Sequence, residues 1–316
     1  MGLASLFAHR FWITAYACLA LGFWLPGDYR CGRPLIPYLL GGILYFSCLK
    51  VGMREVAMSA RDARLLLRVL ALSLVKLLVL PLVTYLAMRL LAPAWASGAM
   101  LVAMMPAGLS SLAFADLFGG SRMAALALTI ITSLLCPISI PFLLDWAVPS
   151  TSDGMRGMIS ERAGFITLLL ITPFVLAQLT RLAVPGLIAT HHRRWGYGSI
   201  VCICLLIFLS VAANRHHWAS MGGSDLLVAL GATSVASLVG ALTAWPFAAW
   251  LPRTEAISFA CSAVYMNNGL AVALAVGFYQ GDARLLLPAI LVQIPMTAGV
   301  AIIGARCAPP RALPAA

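Results

Sequence analysis

Residues 264–272 read VYMNNGLAV, a stretch that places two amides and a glycine inside a long apolar segment. The apolar segment runs over about residues 256–279, and Asn267, Asn268 and Gly269 lie near its middle. The core of a bilayer holds no water that could satisfy polar groups. An interruption there is tolerated only where it is buried in protein or lines a cavity. The stretch therefore predicts a broken membrane helix with a polar site at the break.

The composition of the whole chain predicts a membrane protein. Of its 316 residues, 62% are hydrophobic and only 10% are charged, and the mean hydropathy is +0.97. A soluble protein of this length cannot bury so much apolar surface. Several apolar runs approach or exceed the roughly 18–20 residues that a helix needs to cross a bilayer. The predicted fold class is therefore an all-α polytopic membrane protein.

About ten membrane spans can be placed on the apolar runs. The first follows a basic N-terminal segment and could be mistaken for a signal peptide. Its apolar run continues through LGFWLP (21–26), so we interpret it as a retained span. The predicted spans cover residues 11–26, 35–52, 66–91, 96–117, 123–144, 164–184, 199–213, 225–250, 256–279 and 285–304.

The net charge of +11 predicts the orientation in the membrane rather than binding to nucleic acid. With the N-terminus inside, 13 of the 21 Lys and Arg residues fall at inner span ends and 7 at outer ends. The remaining one, Lys76, lies inside a span. Lys and Arg are more frequent on the cytoplasmic side of membrane proteins. We therefore expect a multi-pass protein of the cell (inner) membrane, with both termini in the cytoplasm and the lipid bilayer as its surroundings.

The chain divides into two halves with five predicted spans each. A polar loop, PSTSDGMRGMISERAG (149–164), surrounds the midpoint at residue 158. An odd number of spans per half turns the second half over relative to the first, an arrangement that many secondary transporters use. We expect two inverted five-helix repeats, residues 1–157 and 158–316, that form one integrated membrane domain.

The fourth and ninth spans carry interruptions at matching places in the two halves. The fourth span contains MMPAGLSSLA (104–113), and the ninth contains the stretch quoted first. Pro106 removes a backbone donor and clashes with the preceding turn, whereas Gly108 and Gly269 permit unwinding. Small residues also let membrane helices pack closely, which is the alternative explanation. Because both spans are interrupted, we expect a transport site built from two broken helices.

Four polar side chains lie at these interruptions. Hydroxyl and amide groups can satisfy the backbone groups that an unwound helix frees, or they can replace the water shell of an ion. The candidate binding residues are Ser110, Ser111, Asn267 and Asn268.

Three patches resemble the bile acid:sodium symporter family, part of the bile-arsenite-riboflavin transporter superfamily of ten-span inverted-repeat carriers. The family's signature in the fourth and fifth spans resembles PAGLSSLAFADLFGGSRMAALALTIITSLLCP (106–137). Its third-span pattern, a Gln five residues before a Pro, falls on KLLVLP (76–81). Its ninth-span motif, an acidic residue, three further residues and then Gln-Asn, falls on AVYMNN (263–268).

The resemblance implies two sodium ions where the broken helices cross, but several ligand positions differ in this chain. Ser111 and Thr129 keep the hydroxyls of one ion site. Elsewhere Leu112 stands for an Asn, Ala125 for a Ser, Ala263 for the acidic residue shared by both ions, Lys76 for a Gln, and Asn267-Asn268 for Gln-Asn. The sodium sites are therefore expected to be partly lost.

Lys76 is expected to lie in the middle of the bilayer. It is about ten residues into the third span, or roughly 15 Å at 1.5 Å per residue. All ten acidic residues fall near span ends or in loops, so none is available there as a partner. A lysine at the centre of a bilayer costs at least about 2.5–3.5 kcal/mol on insertion scales. An offsetting interaction or role is therefore expected.

Two interpretations of Lys76 stay open. It is either a structural lysine, bonded to carbonyls or facing a wet cleft, or a tethered cation that replaces a sodium ion. In the second case the ammonium would lie among unwound carbonyls and the C-terminal ends of half-helices, where it would also attract an anion. Removal from water disfavours the charged form of an amine, so proton binding could couple to transport. We expect sodium-independent transport with no cofactor and no bound metal.

The predicted substrate is a small organic anion of unknown identity. Half-helix N-termini present free N–H groups that suit carboxylates, and the resemblance implies organic anions as substrates. It also implies a cavity lined by Asn268 and by polar groups of the tenth span, for which Gln293 and Thr297 are the candidates. Either of these two side chains could instead be a hydrogen-bonding contact between helices.

The sequence favours a secondary transporter that works by alternating access over other classes of membrane protein. An enzyme would need a nucleophile with a base, or a metal cluster, and no His or carboxylate pair falls in mid-span. A sodium-coupled symporter with a reduced ion site is the nearest alternative. A channel or a membrane scaffold is less well supported, because paired broken helices in one chain suit alternating access.

Overall fold

The computed structural model describes residues 11–49, 62–147, 155–190, 192–213, 215, 222–279 and 282–307. Within these ranges every long element is a helix, and the β-bridge between Ala107 and Met266 is isolated. The predicted all-α class is therefore confirmed for the described residues.

We number the helices by the predicted span to which each belongs. The fourth, ninth and tenth spans each consist of two helices separated by a short interruption. The third span consists of two helices joined by a π-helical segment. The helices are α1 Phe11–Trp24, α2 Leu35–Cys48, α3a Ala63–Leu74, α3b Leu80–Leu91, α4a Ala96–Ala103, α4b Leu109–Leu117, α5 Arg122–Ala147, α6 Met155–Ala183, α7 His192–Ala212, α8 Gly223–Ala244, α9a Arg253–Val264, α9b Asn268–Tyr279, α10a Ala283–Leu291 and α10b Gln293–Cys307.

Each predicted span coincides with one helix or one pair of helices, and five of these elements are long and apolar enough to cross a membrane. Within the described ranges the five are Ala63–Leu91, Arg122–Ala147, Ala163–Ala183, Gly223–Ala249 and Ala283–Cys307. The count of ten membrane spans and the inverted relationship of the halves both stay predictions. The predicted boundary after residue 157 lies near the start of α6, so the second part of the predicted polar loop is helical from Met155 onwards.

A π-helical segment, Val75–Val79, joins α3a to α3b. The N–H of Leu80 donates to the carbonyl of Val75, five residues back. Pro81 follows immediately, and in a regular α-helix its ring would clash with the carbonyl four residues earlier. The wider π turn relieves this clash, and π turns inside α-helices are often found at functional sites. Lys76 lies in this segment.

The helices pack as two groups. In the first, α7 packs against α1 and α2, and α6 packs against α2; we call these four helices the frame. In the second, α3, α4, α5, α8, α9 and α10 pack on one another, and we call them the crossing unit. Their main contact is between α6 and α5, with smaller contacts of α9b and α10a on the frame.

Arginines cap the ends of helices within the frame. Arg33 Nε donates to the carbonyl of Ala213, just after α7, over 3.2 Å. Arg215 Nη1, just beyond α7, donates to the carbonyl of Leu25, just after α1, over 3.1 Å. The end of α7 is thus capped by an arginine just before α2, and the end of α1 is capped by an arginine just after α7. Such caps satisfy the last carbonyls of a helix and place positive charge at its negative end.

The opposite end of α2 has a similar cap. Arg181 Nη1, near the end of α6, donates to the carbonyl of Leu49 over 3.0 Å. Beside it, Tyr45 Oη donates to Thr180 Oγ1 over 3.0 Å. Both ends of the frame are therefore held by side chains that reach from one helix to the terminus of another.

Candidate functional site

The interruptions of the fourth and ninth spans meet and pair with each other. Between α4a and α4b the chain is non-helical over residues 104–108, and between α9a and α9b it is non-helical over residues 265–267. Gly108 N–H donates to the carbonyl of Tyr265 over 2.9 Å, and Asn267 N–H donates to the carbonyl of Pro106 over 2.9 Å. The two extended segments thus form a two-bond antiparallel junction, which we call the crossing.

Pro106 and Gly108 suit this junction for different reasons. Pro106 lies in the extended segment, where its missing N–H breaks no helical bond and its carbonyl accepts from Asn267. At Gly108 a Cβ would lie 3.0 Å from the Met266 carbonyl oxygen and 3.0 Å from the Tyr265 ring. The backbones therefore approach so closely that a side chain would push them apart.

Other backbone groups at the crossing bond to neighbouring helices. Ala107 N–H donates to Thr132 Oγ1 on α5 over 3.2 Å, and Met266 N–H faces Met296 Sδ on α10b at 3.2 Å. Thr132 was not among the predicted residues. The sequence offered one indication of its role, because Thr132 lies three residues after the predicted Thr129 on the buried face of the same span. In a membrane such partners are required, because a freed backbone N–H has no water to bond.

Asn267 acts as the N-cap of α9b, and its predicted role in binding stays a prediction. Its Oδ1 accepts from the N–H of Leu270 over 3.2 Å, the usual geometry for an Asn that precedes a helix. Gly269, predicted at the break, lies instead in the first turn of α9b. A Cβ there would lie 3.0 Å from Leu40 on α2, so close packing against the frame accounts for this glycine.

The predicted hydroxyls of the fourth and fifth spans occupy different settings. Ser111 Oγ lies 3.4 Å from Ser262 Oγ, and both residues are fully buried, so α4b and α9a share a hydroxyl pair beside the crossing. Thr129 Oγ1 donates to the carbonyl of Ala125 on its own helix. Ser110 is half-buried at the start of α4b. Ser262 was not predicted, because the resemblance placed no ligand there.

Asn268 and Gln293 form the polar part of a small cleft. Asn268 Nδ2 donates to Gln293 Oε1 over 3.0 Å, and Gln293 Nε2 donates to Tyr265 Oη over 3.4 Å. The cleft is lined mainly by aliphatic side chains of the frame and the crossing unit: Leu19, Leu206, Ile207, Ser210, Asn268, Val272, Ile290 and Gln293. The structure thus brings two predicted substrate residues together at the boundary of the two helix groups.

Thr297 lies one turn beyond Gln293 on α10b. Its Oγ1 donates to the carbonyl of Gln293 over 2.8 Å. Its hydroxyl therefore bonds within its own helix, as Ser and Thr commonly do in membrane helices. The structure does not place it among the side chains that line the cleft.

Lys76 is fully buried in the π segment. Within the described ranges its Nζ has no hydrogen-bond partner. Leu80, one turn further on and also fully buried, marks the direction of this face of α3. A Cβ at Gly240 of α8 would lie 3.6 Å from Leu80 Cδ1 and 2.7 Å from the carbonyl oxygen of Ala263. Lys76 is therefore one turn away from a residue that lies beside α8 and the C-terminal end of α9a, while its own π segment packs against α5.

Acidic side chains lie away from this region in the part of the chain that the structure describes. Glu255, in the first turn of α9a, accepts from Arg68 Nη2 on α3a over 2.9 Å. The other described acids lie in loops or near helix ends: Asp28, Asp62, Asp116, Asp145, Glu161, Asp225 and Asp282. No three His, Cys, Asp or Glu side chains come together there as a metal site would require.

A comparison with protein families identifies the chain. A family model described as "SBF-like CPA transporter family (DUF4137)" matches residues 10–306, nearly the whole length. The chain belongs to the SBF-like CPA transporter family. A search of the curated proteins found no match. This SBF-like protein is a multi-pass membrane transporter, and the resemblance to bile acid:sodium symporters agrees with the family at that level.

Proposed function

We propose that this SBF-like protein is a secondary transporter that carries a small organic anion by alternating access, without sodium, and uses Lys76 as a fixed cation. The observation that carries the proposal is the position of Lys76. It is a fully buried amine one turn from Leu80, which lies beside Gly240 of α8 and the end of α9a. In related carriers an acidic residue and a sodium ion are expected near this point, and here Ala263 takes the place of the acid.

Charge balance favours a tethered amine over a sodium ion in this region. A sodium ion requires ligands that compensate its charge, and no described carboxylate lies near the crossing. A lysine amine in the same region carries its own charge on the chain and can release it as a proton. The C-terminal end of α9a presents carbonyl groups with partial negative charge, which favours a cation. One tethered amine can therefore replace a mobile cation. Proton binding and release at this amine would then couple transport to the proton gradient.

The anionic substrate is supported by the helix termini. Asn268 is the first residue of α9b and lines the cleft, so the cleft reaches a helix N-terminus. Helix N-termini favour negative charge through their N–H groups and dipole. The remaining lining is mostly aliphatic, which suits a substrate with an apolar body and one polar end. The cleft has a volume of only about 10 Å³ here, so such a substrate would enter it only when the frame and the crossing unit move apart.

Alternating access is supported by the way the helices group. The cleft lies where the frame meets the crossing unit, so a relative movement of these groups would open and close it. Transporters with inverted repeats commonly move one helix group against another around a central site.

A sodium-coupled symporter is the second candidate. The Ser111–Ser262 hydroxyl pair lies beside the crossing, and hydroxyl and carbonyl oxygens are ligands that a sodium ion accepts. The absence of a nearby carboxylate among the described residues argues against this candidate.

A counterflow experiment tests the proposal. The purified protein in proteoliposomes is screened with small organic acids, with sodium in one series and potassium in the other, over a range of pH. We expect saturable counterflow of at least one acid that is unchanged when potassium replaces sodium. A strict sodium requirement would establish the second candidate instead, and ohmic conductance in a planar bilayer would indicate a channel.

Substitutions link the result to Lys76. Lys76→Gln is expected to reduce counterflow at least tenfold, or to restore a sodium requirement. Arg89→Gln is the matched control, because Arg89 is an exposed cation on the same span. Equal uptake by the parent and Lys76→Gln, with the same pH profile, would rule out the fixed-cation role.

A further inference from the structure

Four buried polar atoms on the third span and on α8 have no hydrogen-bond partner among the described residues. Three lie on the third span, namely Ser73 Oγ, Lys76 Nζ and Thr84 Oγ1, and all three residues are fully buried. The fourth is Ser237 Oγ on α8, which packs against α3b. A buried polar group without a partner destabilises the fold. Four such atoms on two helices that pack together therefore call for a ligand.

These hydroxyls differ from other hydroxyls in the helices of this protein. Thr132 on α5, Ser210 on α7 and Thr243 on α8 donate to carbonyls of their own helices. Ser234, three residues before Ser237 on α8, does the same. This internal bond is the usual way in which a membrane helix satisfies a hydroxyl. Ser73, Thr84 and Ser237 do not make it, so their hydroxyls are free to bind something between the helices.

The four atoms follow the buried side of the third span. Ser73 on α3a and Lys76 in the π segment belong to the part that packs against α5, and Thr84 belongs to the part that packs against α8. Lys76 and Thr84 lie four residues before and after Leu80, so the three share a face of the helix. Leu80 lies beside the position of Gly240, and Ser237 precedes Gly240 by three residues on the same face of α8. We call this buried side of the third span, with the facing part of α8, the α3–α8 seam.

The seam leads toward the surface at only one of its described ends. From Ser73 to Thr84 it spans eleven residues, or about 16 Å along the helix. Beyond Ser73, Arg68 Nε is also buried without a partner. The Arg68 side chain is 37% exposed and pairs with Glu255 at 2.9 Å. Beyond Thr84, the buried side chain of Met88 closes the other end.

We propose that the α3–α8 seam takes up a short file of water molecules that conducts protons between the Arg68–Glu255 pair and Lys76. Each water molecule would give the orphaned hydroxyls the partners that they lack, as buried water commonly does. To charge Lys76, its nitrogen lone pair takes a proton from the nearest water molecule, and each water molecule takes one from the next, out to the mouth. The reverse transfers remove the proton from Lys76. This inference rests on the proposed function, because it supplies the route by which the fixed cation would gain and lose its charge.

Lys76 is the only titratable group that the described structure places along the seam between Ser73 and Thr84. The elements packed against it carry their other titratable and charged groups elsewhere. Those of the third span and α5 are Arg64, Arg68, Tyr85, Arg89, Arg122, Cys136 and Asp145, and those of α8 and α9a are Asp225, Arg253, Glu255 and Cys261. Of these, Cys136 donates to the carbonyl of Ser133 on its own helix, and Glu255 is paired with Arg68.

The chain contains so few lysines that the signal of Lys76 can be observed by itself. Lys50 and Lys76 are its only lysines, so a Lys50→Arg variant grown with ¹³C-lysine gives a single lysine Cε signal. In lipid nanodiscs transferred to D₂O, deuteration of the Lys76 amine shifts this signal, and the time course measures proton exchange. We expect the combined variant Ser73→Ala, Thr84→Val and Ser237→Ala to slow the exchange at least tenfold. Removal of orphaned hydroxyls should leave the fold intact.

Ser139→Ala is the matched control, because Ser139 Oγ on α5 is another buried hydroxyl without a partner, outside the seam. It should exchange at the parental rate. Parental exchange in the triple variant, or equal slowing in Ser139→Ala, would overturn the inference. Counterflow without sodium, measured on the same variants, separates the two proposals. The proton path through the seam can be disproved while transport still proceeds without sodium.

Discussion

The N–H of Gly108 donates to the carbonyl oxygen of Tyr265 over 2.9 Å, and this bond joins the fourth span to the ninth. With the return bond from Asn267 to Pro106, it replaces helical bonds that each span loses at its break. Each half of the chain thus satisfies the backbone of the other. The crossing is built on peptide groups, and side chains such as Thr132 and Asn267 hold those groups in place.

Close packing at the end of α9a should depend on Gly240. A Cβ there would lie 2.7 Å from the Ala263 carbonyl oxygen, so Gly240→Ala must displace one of the two backbones. We expect a loss of about 1–3 kcal/mol in the free energy of unfolding, the usual effect of overpacking. Thermal denaturation in detergent measures it. Gly231→Ala on the same helix has no atom within 4 Å of the new Cβ and should be neutral or stabilising.

Thr132 should stabilise the crossing through its hydroxyl. Thr132→Val keeps the shape of the side chain but leaves the buried N–H of Ala107 without its 3.2 Å partner. An unpaired buried donor costs about 1–3 kcal/mol, so both the melting temperature and counterflow should fall. Thr243→Val is the control, because that hydroxyl bonds only to a carbonyl of its own helix. A parental melting temperature for Thr132→Val would contradict the assigned contact.

Asn268 and Gln293 should be energetically coupled. Their side chains share a 3.0 Å hydrogen bond, so the stability losses of Asn268→Ala and Gln293→Ala should not add. A double-mutant cycle from thermal denaturation is expected to show a coupling energy of about 0.5–3 kcal/mol, as for other contacting pairs. A cycle with the exposed Ser234→Ala in place of Gln293→Ala should give additive effects. Additivity in the first cycle would show that the two amides act independently.

The arginine caps should matter more than an exposed ion pair in the same loop. Arg33→Gln removes a part-buried charged hydrogen bond to the end of α7 and should lower stability by about 1.5–3 kcal/mol. Arg30→Gln removes only an exposed pair with Asp28 and should change stability by less than about 1 kcal/mol. The melting temperatures of the two variants provide the comparison. The reverse order would show that the frame does not depend on its caps.

The sequence predicted most of the fold, because apolar runs identify membrane helices directly. It placed the ten helical segments and the region of both breaks, since Pro106 and the adjacent polar residues have local effects. It misplaced the role of Gly269, which lies within α9b and packs against Leu40. A glycine permits both unwinding and close approach, and only the neighbour decides which of them is used.

The candidate site was predictable only in part. Asn268 and Gln293 were expected near each other from the resemblance, and they share a hydrogen bond. Thr132 and Ser262 were missed, because their roles depend on which backbone or hydroxyl group stands opposite. Arg68 and Glu255 are 187 positions apart in the chain, and nothing in the local pattern of either residue indicates that they pair. The crossing brings residues of the two halves together, and a single sequence does not show which of them become neighbours.

The reciprocal bonding at the crossing also has a consequence for biosynthesis. When the ribosome has completed only the first half, the peptide groups around Pro106 and Gly108 have no counterpart, since Tyr265 and Asn267 have not yet been made. The nascent fourth span must therefore remain in the translocon or in lipid with the backbone groups of its break unpaired. A truncated product should therefore be recognised by membrane quality-control proteases, and the two halves should survive in a cell only when they are produced together.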